Sequence, residues 1–280
     1  MTTERPPFLY KYRAISNETD LSKDYTLDAL FNSYAVFSSR RNFNDLFDSK
    51  IEFVRPSARQ IKSVRDSTNK KTCQELNKYI RNGKITPEGD LYLQNVEIEL
   101  NKIIDSYIFL SVSAKSTSNL MWSHYANSHR GFCIEFRSEH VAADKVTYQD
   151  SIPQIEIAEI LAAHKSQLGG DHVGGKIWHA LRVKLREWDY EEEYRFQLSN
   201  YGPNNKLKNG ERFLKVSYTP DFVESVIFGC RTPPRIKEFI ASNMPFSVKL
   251  KQAVEGKSSI EIIDSPLVVF NKSGTNEKSA

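Results

Sequence analysis

The sequence predicts an α+β protein with a mixed, largely antiparallel sheet and a helical insertion at about residues 55–105. Segments with strand character outnumber helical ones, and short loops join many neighbouring strands, which is typical of this class. The insertion is polar and carries two apolar stripes at helical spacing, with a break at residues 83–89. Because there is no internal repeat and no obvious boundary, we expect one domain over residues 1–270 and a fraying polar tail over 271–280.

The first half of the chain begins with a strand and a helix. In residues 8–13, aromatic and apolar side chains are interspersed with the cations Lys11 and Arg13, and this composition predicts a strand. Residues 20–34 carry Leu27, Leu30 and Phe31 on one face, which predicts a helix. Further strands are predicted at residues 35–38 and 107–113.

The most informative stretch, residues 119–136, joins a short helix to a strand. Apolar and polar residues alternate from 132 to 136, which predicts a strand with one buried face. Gly131 would let the backbone turn between the two elements. Polar side chains at such a junction often line a cleft, and His124 is one of them. The residues with helical spacing before the turn are Met121, Trp122 and Tyr125.

The second half alternates between short strands and helices. Strands are predicted at residues 145–148, 190–198, 213–217, 223–228, 246–253 and 259–263. Helices are predicted at residues 155–167, 175–184 and 234–242. The glycine-rich loop at 169–175 lacks the spacing and the Lys-Ser/Thr pair of a P-loop, so we interpret it as a flexible linker.

Composition indicates an ordinary globular protein. Hydrophobic residues make up 39% and charged residues 26% of the 280 residues. The chain starts without an apolar signal segment and has no run long enough to cross a membrane, so we expect a cytoplasmic protein without a membrane partner. Because the three cysteines are far apart in sequence, we expect free thiols and no zinc site.

The charge is mildly basic, with a formal net charge of +4. Cations concentrate at residues 55–71, where only Asp66 is acidic. This pattern is typical of a solvated helix face, and the alternative is contact with a phosphate-bearing ligand. The sequence leaves both interpretations open.

Several ordered motifs together resemble DUF2971, a bacterial family of unknown function. The motifs are residues 9–13, 37–48, 110–113, 120–126, 129–136, Lys184 with Trp188, 190–195 and 226–229. The resemblance covers about residues 8–235. The family implies no activity by itself.

A looser resemblance is to the ADP-ribosyltransferase superfamily, particularly its branch that modifies nucleic acid. The order of a basic first strand, a helix, a Ser-Ser-Arg strand, a Met-Trp-x-x-Tyr turn and a late Glu-x-Glu is similar. The resemblance implies NAD as the substrate, an early cation that holds it, an aromatic ring stacked on nicotinamide, and a late glutamate that steers ribosyl transfer. The matching residues are Lys11 or Arg13, Tyr125 or Trp122, and Glu191 or Glu193. Lys11 stands where His or Arg is expected.

The acidic run at residues 191–193 has both a catalytic and a structural interpretation. A carboxylate beside a ribose stabilises the positive charge that develops when the glycosidic bond breaks. On a strand, Glu191 and Glu193 would point the same way. Mutual repulsion would raise at least one pKa if the site is buried. Alternatively, Glu193 and Arg195 face the same side and form a structural ion pair.

The other candidates also have two interpretations. His124 is a base or phosphate contact, or a polar lining residue, and its spacing from His129 is poor for a shared metal. Trp122 is a core residue or a stacking platform. Arg40, with Arg41, is a phosphate ligand candidate. The turn that contains Asn44, Asp45 and Asp48 shapes a cleft or caps a helix, and we predict no metal.

Three hypotheses follow. The chain is an NAD-consuming transferase or glycohydrolase, in the setting of a toxin or antiphage-defence effector that the second resemblance implies. Alternatively, it binds or cleaves nucleic acid through Arg40, Arg41 and the basic segment after Arg55, with His124 as a further candidate and with salt-dependent binding. The third hypothesis is a non-catalytic sensor or partner-binding module. Under the first hypothesis, the binding partner is a small-molecule nucleotide. The sequence does not indicate the oligomeric state.

Overall fold

The structure is a computed structural model that describes residues 5–67, 70–163, 170–198 and 211–269. The strands of the described part are β1 Phe8–Arg13, β2 Tyr34–Ser38, β3 Glu52–Val54, β4 Ile80–Arg81, β5 Lys84–Ile85, β6 Phe109–Ser113, β7 Phe132–Arg137, β8 Asp144–Lys145, β9 Thr147–Gln149, β10 Gln154–Glu156, β11 Val183–Leu185, β12 Glu193–Gln197, β13 Phe213–Ser217, β14 Val223–Phe228, β15 Lys249–Glu255 and β16 Ile260–Asp264. The helices are α1 Tyr25–Phe31, α2 Ala58–Asp66, α3 Lys70–Asn77, α4 Pro87–Asp105, α5 Asn119–Tyr125, α6 Ile157–Ala163, α7 Gly170–Ala180 and α8 Pro234–Asn243.

The main sheet is mixed and largely antiparallel, as predicted. Its path runs β13-β2-β6-β1-β7-β14-β15-β16, and β12 pairs with β6 and with β8. Within this sheet β14 and β15 are parallel, whereas the other pairs are antiparallel. Together with the helices, this sheet confirms the α+β fold class.

The sheet divides at β6. One edge of β6 pairs with β12 along its whole length. On the opposite edge, β1 pairs only at Tyr10↔Ser113 and β2 pairs only at Ser38↔Phe109. Because β1 and β2 diverge between these two points, Ser111 lies beside a gap in the sheet.

Three clusters of apolar residues cover the two faces of the sheet. Strand alternation places Leu110 and Val112 on one face, where they join the largest core cluster. The opposite face carries two further clusters, one around Phe109 and the helical insertion, the other around Tyr12 and α5. A space remains between these last two clusters, directly over β6.

The helical insertion is confirmed and packs as one unit. A capping box in which Ser57 and Gln60 bond reciprocally starts α2, and Thr86 caps α4 ahead of Pro87. The buried apolar residues of the insertion are Ile61, Val64, Leu76, Leu93 and Ile104. Burial of each such side chain contributes about 1.5–3 kcal/mol, which holds the insertion against the sheet.

Several predicted boundaries were wrong. Asp24 accepts bonds from the backbone of Thr26 and Leu27, so the helix expected at 20–34 begins only after a 3-10 turn at Leu21–Lys23. The expected linker at 169–175 is helical from Gly170 onward, and residue 169 lies outside the described residues. Lys184 lies in β11 and not in a helix.

The junction at residues 119–136 is confirmed, with two differences. β7 is buried on both faces, since Cys133 and Glu135 are covered as well as the apolar residues. Gly131 does not have a positive φ; it is required because a Cβ there would lie 2.1 Å from the carbonyl oxygen of Arg13. The left-handed conformations belong to residues 127–129 instead.

Among the described residues, no helix has the length and apolar character needed to cross a membrane. Cys73, Cys133 and Cys230 are free thiols. The predicted polar tail at 271–280 lies outside the described residues.

Candidate functional site

A cavity of about 240 Å³ lies over β6, where β1 and β2 diverge. Its wall combines aromatic rings with charged and hydroxyl groups. The lining residues are Tyr10, Lys11, Tyr12, Val36, Ser38, Asn42, Phe43, Asn44, Asp48, Phe109, Ser111, Val112, Ser113, Met121, Tyr125, Lys184, Glu191 and Glu193. The cavity therefore brings together residues that are distant in sequence.

A fully buried arginine holds one side of this cavity in place. Arg195 donates through Nη2 to both oxygens of Asp48, at 2.7 and 2.8 Å. Its Nε donates to Glu193 Oε1 at 2.8 Å. It also donates to the hydroxyl of Ser49 and the carbonyl of Leu181. Arg195 thus ties the loop that carries Asp48 to β12.

A second buried cation lies among the same carboxylates. Lys184 Nζ lies 2.6 Å from Glu191 Oε2, 3.4 Å from Asp48 Oδ2 and 3.5 Å from Glu193 Oε2. Burial opposes its charge, but the three carboxylates outweigh burial and raise the pKa of Lys184. Three carboxylates therefore share two permanently charged cations.

Glu191 and Glu193 differ in their surroundings. Burial raises the pKa of Glu191, with Lys184 opposing this and Glu193 adding to it. Burial also opposes ionisation of Glu193, but Arg195 and Lys184 outweigh it and lower the pKa of Glu193 to about 2. At least one pKa in this acidic run is raised, as predicted, but the largest cause for Glu191 is burial and not repulsion between the acids.

Glu191 is held by hydrogen bonds at both carboxylate oxygens. Tyr125 donates its hydroxyl proton to Oε1 at 2.5 Å, and Lys184 donates to Oε2 at 2.6 Å. The prediction that Glu191 and Glu193 share one strand was wrong, because Glu191 ends a 3-10 segment, Arg186–Glu191. Glu192 adopts a left-handed conformation with φ of 43°, and after this kink both neighbours still line the cavity.

The early cations occupy three different places. Lys11 lines the cavity and donates from Nζ to the carbonyl oxygen of Ser111 at 2.7 Å. Arg13 does not line it; burial lowers the pKa of Arg13, and Asp24 is among the groups that oppose this shift. Arg40 also lies outside the lining and bonds to Asp105 and Asn101.

The aromatic turn contributes one ring to the cavity. Tyr125 lines it, whereas Trp122 is fully buried and donates its indole N–H to the carbonyl of Ser116 at 2.7 Å. The ring of Trp122 also packs edge-on against Tyr12. His124 is exposed, with its ring centroid 6.2 Å from that of Tyr190. These contacts favour the core interpretation of Trp122.

Some site residues were not singled out as functional from the sequence. Ser111 and Ser113 lie in a strand of ordinary appearance; Ser111 borders the gap beside β6, whereas Ser113 lines the cavity at the point where β6 pairs with β1. Asp48 was interpreted as a turn residue, although it is the buried partner of Arg195. The structural pair of Glu193 with Arg195 was one of the two interpretations, and their contact confirms it. Among the described residues, no group of three or more His, Cys, Asp or Glu could hold a metal.

One family model matches part of the chain. Residues 121–196 match the model of DUF2971, described as a protein of unknown function, which confirms the predicted resemblance over that segment. The match begins within α5 and includes five residues of the cavity wall: Met121, Tyr125, Lys184, Glu191 and Glu193. No curated protein and no solved structure matches the chain.

The low pKa of Glu193 gives a prediction for stability in acid. A carboxylate with a lowered folded-state pKa stabilises the fold above its unfolded value, and this contribution is lost as pH falls. We expect the free energy of unfolding of the wild type to fall between pH ~4.5 and ~2 as Glu193 takes up a proton. Glu193→Gln should show a flatter dependence over this range, measured by urea unfolding at several pH values. If the free energy of unfolding depended equally on pH in the two proteins, the lowered pKa of Glu193 would be contradicted.

Proposed function

We propose that the chain is an NAD-consuming enzyme of the ADP-ribosyltransferase type, which breaks the bond between nicotinamide and ribose. The observation that carries this proposal is Glu191: a buried carboxylate with a raised pKa, held by Tyr125 and Lys184 at the wall of a cavity. Perturbed carboxylates in clefts are typical of catalytic sites. The resemblance to the superfamily supports the choice of NAD.

Glu191 is better suited than Glu193 to act on a bound ribose. Departure of nicotinamide leaves positive charge on the ribose, which a fixed carboxylate stabilises. Arg195 engages both oxygens of Glu193, at 2.8 and 3.0 Å, so this carboxylate is committed to the structure. Glu191 has no arginine partner among the described residues. We therefore assign the charge-stabilising role to Glu191 and a structural role to Glu193.

The size of the cavity suits part of the dinucleotide. Its volume of about 240 Å³ lies below the roughly 300–1,000 Å³ of pockets that enclose whole ligands. We therefore place the nicotinamide and its ribose inside, with the rest of NAD at the mouth. Tyr125 and Phe43 supply aromatic surface, and Lys11 supplies a polar contact. A toxin or antiphage-defence role would follow from depletion of NAD or modification of a macromolecule.

The nucleic-acid hypothesis has less support from the described residues. Arg40 is bonded to Asp105, and Arg55 is bonded to Glu97. These pairs neutralise cations that would otherwise contact phosphate. Arg41, Arg59 and Lys62 are exposed, so the basic surface is sparse among the side chains that the structure describes. A carboxylate with a raised pKa at the wall of a cavity favours a catalytic site over a non-catalytic module.

Calorimetric titration with NAD tests the proposal. We expect wild-type protein to bind NAD, and Lys11→Met to bind it more weakly because the cavity loses a polar contact. Lys115→Met is the matched control, since Lys115 is exposed, pairs with Glu192 and does not line the cavity. Absence of NAD binding would contradict the proposal. If the protein then bound RNA or DNA in a salt-dependent way, the nucleic-acid hypothesis would be favoured.

A further inference from the structure

The cavity contains two lysines with opposite surroundings. Lys184 lies within 4 Å of three carboxylates, which fixes its positive charge. Lys11 has no carboxylate within 4.0 Å among the described residues, and its ammonium bonds to the carbonyl oxygen of Ser111 instead. One of these amines is therefore always charged, whereas the other has no ion-pair partner to hold its proton.

The gap in the sheet explains the position of Lys11. Strand alternation places Lys11 on the same face as Leu9, which packs in the largest core cluster. Nevertheless, Lys11 lines the cavity on the opposite face with Tyr10 and Tyr12. Its side chain passes beside β6 where β1 and β2 diverge, and its amine reaches the gap next to Ser111. The amine can thus meet a molecule inside the cavity.

We propose that Lys11 is a nucleophilic amine that captures a small aldehyde, such as the open-chain form of a sugar, as an imine. The neutral Nζ attacks the carbonyl carbon and forms a carbinolamine. The nitrogen then loses its proton, the carbinolamine hydroxyl takes up a proton and leaves as water, and a C=N bond remains. Each captured aldehyde releases one water molecule, and no oxidant or reductant is needed. This proposal requires neither NAD nor its cleavage.

Electrostatics supports this role. Burial and the neighbouring charge of Arg13 lower the pKa of Lys11 to about 8, although Glu193 and Glu191 oppose the shift. A desolvated lysine next to another cation is a common way to activate an amine. Glu191 lines the same cavity, so its carboxylate can take the proton lost by the nitrogen and pass it to the departing hydroxyl. The other titratable or charged groups of the cavity wall are Tyr10, Tyr12, Asp48, Tyr125, Lys184 and Glu193.

Reductive trapping on the wild-type protein tests the proposal and needs no substitution that could disturb folding. The protein is incubated at pH 8 with ribose 5-phosphate and cyanoborohydride, without NAD, and the modified lysines are mapped by mass spectrometry. Because its pKa is lowered, Lys11 has a larger neutral fraction at this pH than an ordinary exposed lysine, which with a pKa of ~10.4 is less than about 1% neutral. We expect Lys11 to be modified at least about tenfold faster than exposed Lys23 and Lys102, and Lys184 to remain unmodified.

The proposal is overturned if neither ribose 5-phosphate nor a smaller aldehyde modifies Lys11 faster than Lys23 and Lys102. A second comparison uses glycolaldehyde, a smaller probe without phosphate. Selective labelling by either aldehyde supports the amine as the nucleophile, whereas labelling by neither refutes it. Because NAD is absent, failure of this experiment leaves the proposed NAD chemistry standing. Conversely, a protein that does not bind NAD can still show selective labelling of Lys11.

Discussion

Replacement of Arg195 by methionine should lower the free energy of unfolding by about 3–5 kcal/mol, because two buried carboxylates lose their closest cation and keep only the more distant Lys184, at 3.4 and 3.5 Å. Arg195 is 0% exposed and forms the bidentate contact with Asp48 and the pair with Glu193. Methionine retains apolar volume but cannot donate to either group. Urea unfolding of the purified variant at neutral pH measures the change.

The control is Arg186→Met, because Arg186 forms an exposed pair with Asp150. Exposed pairs contribute little to stability, so this variant should unfold close to wild type. A loss of less than about 1 kcal/mol for Arg195→Met would show that the buried charges are not held by this arginine.

Glu191→Gln should reduce nicotinamide release by at least about 100-fold, because a preorganised charge that stabilises a transition state has an effect of this size. Glutamine keeps the shape and can still accept the hydroxyl of Tyr125, but it cannot offer negative charge to the ribose. Lys184 would retain Asp48 and Glu193 as partners. Release is measured by chromatography of nicotinamide over time.

The neighbouring residue provides a matched control for this variant. Glu192 pairs with exposed Lys115 and does not line the cavity. Glu192→Gln should therefore retain activity close to wild type. If both variants lost the same activity, the total negative charge of residues 191–193, and not the position of Glu191, would determine catalysis.

Local patterns predicted most of the strands correctly. β14 is found at the predicted residues because its apolar run is bounded by a proline-containing turn and Gly229. Helix boundaries were less predictable where a single side chain changes the backbone, as Asp24 does before α1. Lys184 was assigned to a helix because the apolar spacing of residues 175–184 continues past the end of α7, whereas pairing of β11 with β9 decides the outcome.

The site was only partly predictable. The pairing of Glu193 with Arg195 follows from their spacing of two residues on one strand, so the sequence reveals it. The divergence of β1 from β2 depends on pairings between distant segments, and no local pattern encodes it. For this reason the roles of Ser111 and Lys11 at the gap emerge only from the fold, as does the joining of Asp48 to Arg195.

The most direct test of the central claim is nicotinamide release from NAD by purified wild-type protein, followed over hours beside Glu191→Gln. The proposed function predicts release by the wild type and a loss of at least about 100-fold in the variant. Release at the same rate by both proteins would contradict the assignment of Glu191. No release by a folded wild type that also fails to bind NAD would contradict the proposal that this cavity is an NAD site.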